Sequence, residues 1–133
     1  MRSADDPAVT AWTALAESDL RVAVRELAAQ PPEWHQVCFH AQQAGEKALK
    51  AVLEALDMPV PLTHDVARLA RLLQPVFADV QSLAQAAADL SAYGVLPRYP
   101  GAAVPATEQL ATAAVADARR IVAWAFARLH PGS

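Results

Sequence analysis

The chain has 133 residues, 54% of them apolar and 19% charged, enough for one hydrophobic core and against either disorder or a pair of domains. Its 11 lysines and arginines face 14 aspartates and glutamates, a formal net charge of −3. That is the wrong sign for a protein that lives on broad phosphate contact. The single cysteine, Cys38, has no partner for an internal disulfide, no signal-peptide stretch follows Met1, and no run approaches the ~18 apolar residues of a membrane span. A cytoplasmic setting is expected, with no membrane contact.

Alanine is abundant, β-branched residues are scarce, and apolar positions recur at three and four residues, so helices are predicted nearly throughout. The first runs from Pro7 to Ala29, with Trp12, Leu15, Ala16, Asp19, Val22, Ala23 and Leu27 along one stripe, until Pro31 and Pro32 end it. The second, Glu33 to Leu56, carries a continuous apolar seam from Trp34 through Val37, Cys38, Ala41, Gly45, Leu49 and Val52. Small residues at Ala41, Ala44, Gly45 and Ala48 let another helix approach closely, and this stripe and Trp124 are candidate dimer contacts. Thr63 is the expected cap of a third helix that reaches Leu73, with Asp65 in its first turn. A fourth is predicted over Ala78–Tyr93, with Val80, Leu83, Ala84, Ala87 and Leu90 inward and Gly94 as its C-cap. Val95 to Val104 reads as a proline- and glycine-punctuated loop. Thr107 then opens a fifth helix through Leu110, Ala114, Ala118, Ile121, Trp124, Ala125 and Leu129. The expected fold is an all-α, five-helix up-and-down bundle, one domain over residues 1–133.

Much familiar chemistry is missing. There is no glycine-rich phosphate loop, no zinc-spaced Cys or His pair, and no Gly-x-Ser-x-Gly elbow. His35 and His40 fall about 140° apart on a helix, a poor metal pair. Cys38 sits on the apolar seam, where a buried thiol is expected and not a nucleophile. The acidic residues are scattered singly, without the clustered carboxylates that nucleotidyl transfer needs for Mg²⁺. No metal and no cofactor are expected.

Three polar patches remain. On the second helix, Gln42, Gln43, Glu46, Lys47 and Lys50 share a face, and Glu46 and Lys50 stand at i,i+4. A solvated helix face is the ordinary reading of such a stripe. The second patch is Thr63-His64-Asp65, where capping accounts for the threonine and aspartate. It leaves His64 unexplained, because a helix N-terminus disfavours the charged ring. The third is Pro97-Arg98-Tyr99-Pro100, a rigid connector or an arginine held by prolines to meet a phosphate or carboxylate. Arg119, Arg120 and Arg128 most simply complement the dipole of the last helix and solvate its outer face.

Taken in order, these residues resemble the HEPN domain family. The resemblance rests on Trp12 and Ala16-Glu17-Ser18-Asp19-Leu20, on Cys38-Phe39-His40-Ala41-Gln42-Gln43-Ala44-Gly45-Glu46-Lys47-Ala48-Leu49-Lys50, on Leu62-Thr63-His64-Asp65-Val66, and on Arg98-Tyr99-Pro100. It spans nearly the whole chain. It implies a helical bundle that pairs as a homodimer, in many prokaryotes a stand-alone partner of a minimal nucleotidyltransferase that binds a nucleotide or that enzyme's substrate. On this reading Lys47, Lys50 and Arg98 contact phosphate, and Gln43, His64 and Tyr99 contact base or ribose, with Glu46 and Asp65 completing the site. Other branches of the family are metal-independent ribonucleases that place a histidine four to six residues after an arginine. Arg98 is followed here by Tyr99, Pro100, Gly101, Ala102, Ala103, Val104 and Pro105, with no histidine. A catalytic role would therefore fall to Arg98 with His64, and RNA is the disfavoured ligand. A purely structural dimerisation module is the third reading.

Overall fold

The computed structural model describes residues 1–94 and 105–132, so the predicted connector with Arg98 and Tyr99 lies outside the described residues. Five α-helices and no strand are present among those residues: α1 (Pro7–Leu27), α2 (Trp34–Ala55), α3 (Val66–Leu73), α4 (Ala84–Ser91) and α5 (Glu108–Leu129).

The helix ends follow local chemistry. Asp6 caps α1 by accepting from the Ala8 N–H at 2.9 Å, and Pro7 fills the first helical position, where its missing N–H costs nothing. At the other end of α2, Asp57 adopts the left-handed conformation, φ 59°. The Met58 N–H then returns to Leu53 O at 3.0 Å and the Asp57 N–H to Glu54 O at 3.0 Å, the paired bonds of a Schellman stop. Asp65, not Thr63, is the N-cap of α3: its carboxylate accepts from the Arg68 N–H at 3.1 Å, while Thr63 Oγ1 accepts from the Asp65 N–H one step earlier. Both residue types cap, and the turn at Thr63 moves the helix start two residues on.

The predicted fourth helix is divided. Ala78–Leu83 is a 3₁₀ stretch, α4 follows, and Ala92–Gly94 closes in 3₁₀ geometry. This change of pitch turns Ala84 outward and brings Ala86 into the core, and Gly94 ends a 3₁₀ turn instead of capping an α-helix.

Helices α1 and α2 are antiparallel, since Trp12 faces Lys50, Asp19 faces both His40 and Lys47, and Glu26 faces the start of α2 at Glu33. Leu15 falls off the packed stripe and is 48% exposed. Helix α5 runs antiparallel to the 3₁₀ stretch: Arg120 reaches Ser82 O at 3.1 Å, Arg128 reaches Asp79 at 3.1 Å, and Trp124 meets Phe77 edge-on at 5.7 Å. Arg120 and Arg128 are thus tied to a neighbouring element instead of simply solvating the outer face.

Helix α2 lies at the centre, buried from Val37 to Ala55 with few interruptions. Its small stripe is covered within the chain: a Cβ on Gly45 would stand 3.1 Å from Leu90 Cδ1 and 3.6 Å from Ile121 Cδ1. The stripe therefore seats α4 and α5 and is not an open dimer contact. Cys38 is buried beside it, and burial pushes its thiol pKa up to about 11.

Candidate functional site

Because α2 is enclosed, its polar face is enclosed too. Gln42 is 0% exposed, Glu46 3% and Lys50 5%, so the solvated-face reading is overturned. Buried polar groups of this kind persist only when hydrogen-bonded, and here each one is.

The centre is Glu46. Its Oε2 accepts from Lys50 Nζ at 3.0 Å. Its Oε1 accepts from His64 Nδ1 at 2.8 Å and from Gln42 Nε2 at 3.2 Å. Gln42 Nε2 also donates to His64 O at 2.7 Å, and Gln42 Oε1 accepts from Gln43 Nε2 at 2.7 Å. The ammonium of Lys50 rests over the Trp12 ring, 5.5 Å from its centroid, so one lysine binds α1 to α2 through a cation–π contact while neutralising Glu46. An ionised carboxylate only accepts, so in this contact Nδ1 is the donor and Nε2 is the ring nitrogen left over. The His64 side chain is 47% exposed, whereas that of Glu46 is 4% exposed. Among the described residues Nε2 has no partner.

A second, similar group flanks it. Asp19 of α1 accepts from Lys47 Nζ at 2.6 Å and from His40 Nδ1 at 2.8 Å. Each group holds one carboxylate, one lysine and one histidine. In each, the lysine neutralises the acid and the histidine meets it through Nδ1.

The loop before α3 supplies the rim. Asp65, besides capping α3, lies 3.2 Å from Ser91 Oγ, which also donates toward Ala87 O at 2.8 Å and accepts from the Ala67 N–H at 3.1 Å. His64, Asp65, Ser91 and Ala92 line an open depression of about 390 Å³. The structure thus brings Gln43, Glu46, Lys50 and His64 into one network, sets Asp65 on its rim, and turns Lys47 toward Asp19. In this conformation both lysines are committed to carboxylates.

Four partners in this arrangement, Trp12, Asp19, His40 and Gln42, stand in the sequence within a helical stripe or the family resemblance and are not among the expected site residues. Asp19 carried a signal, an acid in the middle of an apolar stripe, which demands a partner once buried. Among the described residues no group of three or more His, Cys, Asp or Glu is placed to hold a metal.

An all-helical bundle with a buried Gln/Glu/Lys face on its central helix, closed by a histidine before the third, defines the class of this protein. A family model described as the HEPN domain matches residues 9–129, and the chain belongs to that family. It is similar to TT1696 from Thermus thermophilus, with 30% identity, a TM-score of 0.77, and coverage of 91% of this chain and 98% of that one. It is also similar to ST0689, an archaeal HEPN homologue, with 26% identity, a TM-score of 0.73, and coverage of 98% and 100%. No curated protein matches the chain.

Proposed function

We propose that this HEPN chain is a non-catalytic module that binds a nucleotide or another phosphorylated small ligand, acts as a cytoplasmic homodimer, and serves as the substrate-binding partner of a minimal nucleotidyltransferase. The observation that carries the ligand reading is the position of His64. Gln42, Gln43, Glu46 and Lys50 are buried, while His64 is half exposed beside an open depression and keeps one ring nitrogen for a ligand. A network built only to hold helices together has no need of an exposed member.

A phosphate arriving at this edge meets the ring nitrogen that Glu46 does not use, beside a carboxylate that Lys50 already balances. Arg98 contributes the fixed charge in this proposal, with Tyr99 and Gln43 toward base or ribose. Lys47 and Lys50 act by setting the potential of the site and by exchanging part of their carboxylate contact for phosphate. The test is the melting temperature of the whole chain with adenosine 5′-monophosphate. A rise is expected that is lost in His64→Ala and in Arg98→Ala. An unchanged melting temperature at millimolar nucleotide would overturn the ligand reading.

The Glu46–His64 pair also favours a second reading, a metal-independent ribonuclease. A carboxylate on Nδ1 orients the ring, leaving Nε2 to move protons at a scissile phosphate. RNA turnover in a metal chelator, abolished by His64→Ala, would put this reading first. Turnover that survives both His64→Ala and Arg98→Ala would remove it.

A further inference from the structure

Away from the Glu46 network, a groove of about 450 Å³ opens between α1 and α5, lined by Glu17, Leu20, Arg21, Val24, Arg25 and Arg119. Its floor is apolar, from the half-buried Leu20 and Val24, and its rim carries three guanidinium groups against one carboxylate. In a chain whose net charge is −3 this is a concentration of the minority sign.

The fold has limited use for these charges. Arg25 lies in the last turn of α1, where a cation suits the helix dipole, but Arg21 beside it makes a like-charged i,i+4 pair that weakens a helix. Arg21 has only Glu17, at 4.0 Å between exposed atoms. Arg119 is ten residues before the end of α5, beyond the reach of its C-terminal dipole. Neither the Arg25 nor the Arg119 guanidinium has a partner among the described residues. Their neighbours on α5, Arg120 and Arg128, are by contrast both engaged by the 3₁₀ stretch.

We infer that this groove is a docking site for an acidic amphipathic helix of a partner protein, an inference independent of the ligand reading at His64. An apolar ridge of the incoming helix covers Leu20 and Val24. Acidic residues four apart on its flank meet Arg21 and Arg25, which are themselves one turn apart, and a second acidic flank meets Arg119 across the groove. A small anion would leave the apolar floor uncovered, and a neutral helix would leave three arginines desolvated without partners.

The test uses the whole chain and a fluorescent synthetic helix with leucines along one face and glutamates on both flanks, read by anisotropy. Binding is expected, weakened about tenfold or more by Arg25→Glu with Arg119→Glu and by the milder Arg25→Ala with Arg119→Ala. A probe with lysines in place of its glutamates should recover binding to the charge-reversed chain. Three results overturn the proposal: no binding, binding unaffected by either double variant, or equal binding of a probe whose leucines are serines, which marks a general anion surface. Sedimentation velocity supplies a fourth. If Arg25→Glu with Arg119→Glu converts a dimer to a monomer, the groove is covered by a second copy and not by a foreign helix.

Discussion

Glu46 and His64, eighteen residues apart in the chain, are joined by a 2.8 Å bond between a carboxylate oxygen inside the bundle and a ring nitrogen at its edge. Through it a half-exposed imidazole is joined to an ion pair buried on the central helix. Because Lys50 shares the same carboxylate and also stacks on Trp12, three elements meet at this acid: α1, α2 and the loop before α3.

Removing Glu46 alone leaves a buried ammonium without its counter-charge, which typically costs about 3–5 kcal/mol. That is a large part of the ~5–15 kcal/mol that holds a domain of this kind together. Glu46→Ala is expected to unfold at much lower urea concentration than the parent chain. The double change Glu46→Leu with Lys50→Met should recover most of that loss, since a well-packed apolar pair replaces the ion pair. Equilibrium urea unfolding of the three proteins decides it, and a double variant less stable than Glu46→Ala would contradict the prediction.

Gly45 tests how closely the helices approach. Replacing a helical glycine by alanine ordinarily gains ~1 kcal/mol, but the new methyl would stand 3.1 Å from Leu90 Cδ1. That atom is the end of a flexible side chain and gives way by a few tenths of an ångström, so Gly45→Ala is expected to lie within about 1 kcal/mol of the parent. Gly45→Leu has no such escape between Leu90 and Ile121, and should cost about 1–3 kcal/mol or more from overpacking. Thermal melts of both variants check the contrast.

The helices were legible in the sequence and the polar site only in part. Alanine-rich 3.6-residue spacing and the prolines after α1 and α2 mark those elements and their breaks. The burial of Gln42, Glu46 and Lys50 was hidden, because a polar stripe has the same spacing whether it faces water or a partner. What decides is that α2 is enclosed by the other helices, and the groups that satisfy it come from Trp12 and His64, far away in the chain. The division of the fourth helix was equally hidden, since the three-residue step from Val80 to Leu83 suits a 3₁₀ turn as well as an α-helix.

Cys38 should behave as a structural thiol. Burial pushes its pKa up to about 11, so little thiolate exists at pH 8. Reaction with Ellman's reagent is expected to be slow in the native chain and fast in urea. Rapid labelling of the folded protein would show that the α2 seam opens readily.

Asp117 predicts a pH dependence of stability. Burial, and then the charge of Asp89, raise its carboxyl pKa, and Arg120 opposes them in part. With the folded pKa above the unfolded one, its contribution to stability is fully present below the unfolded value and is lost as pH rises through the folded value. Asp117→Asn is therefore expected to melt higher than the parent at neutral pH, with the difference vanishing in acid. A variant that melts lower at pH 7 would contradict this.

The most direct test of the central claim is the set of four histidine ring spectra of the whole chain during titration with adenosine 5′-monophosphate. The account predicts saturable movement of the His64 ring, with His35 and His130, both exposed and outside the network, unmoved. If His64 is still while nucleotide reaches about 1 mM, or if all four rings move alike, the depression beside Glu46 is not a nucleotide site.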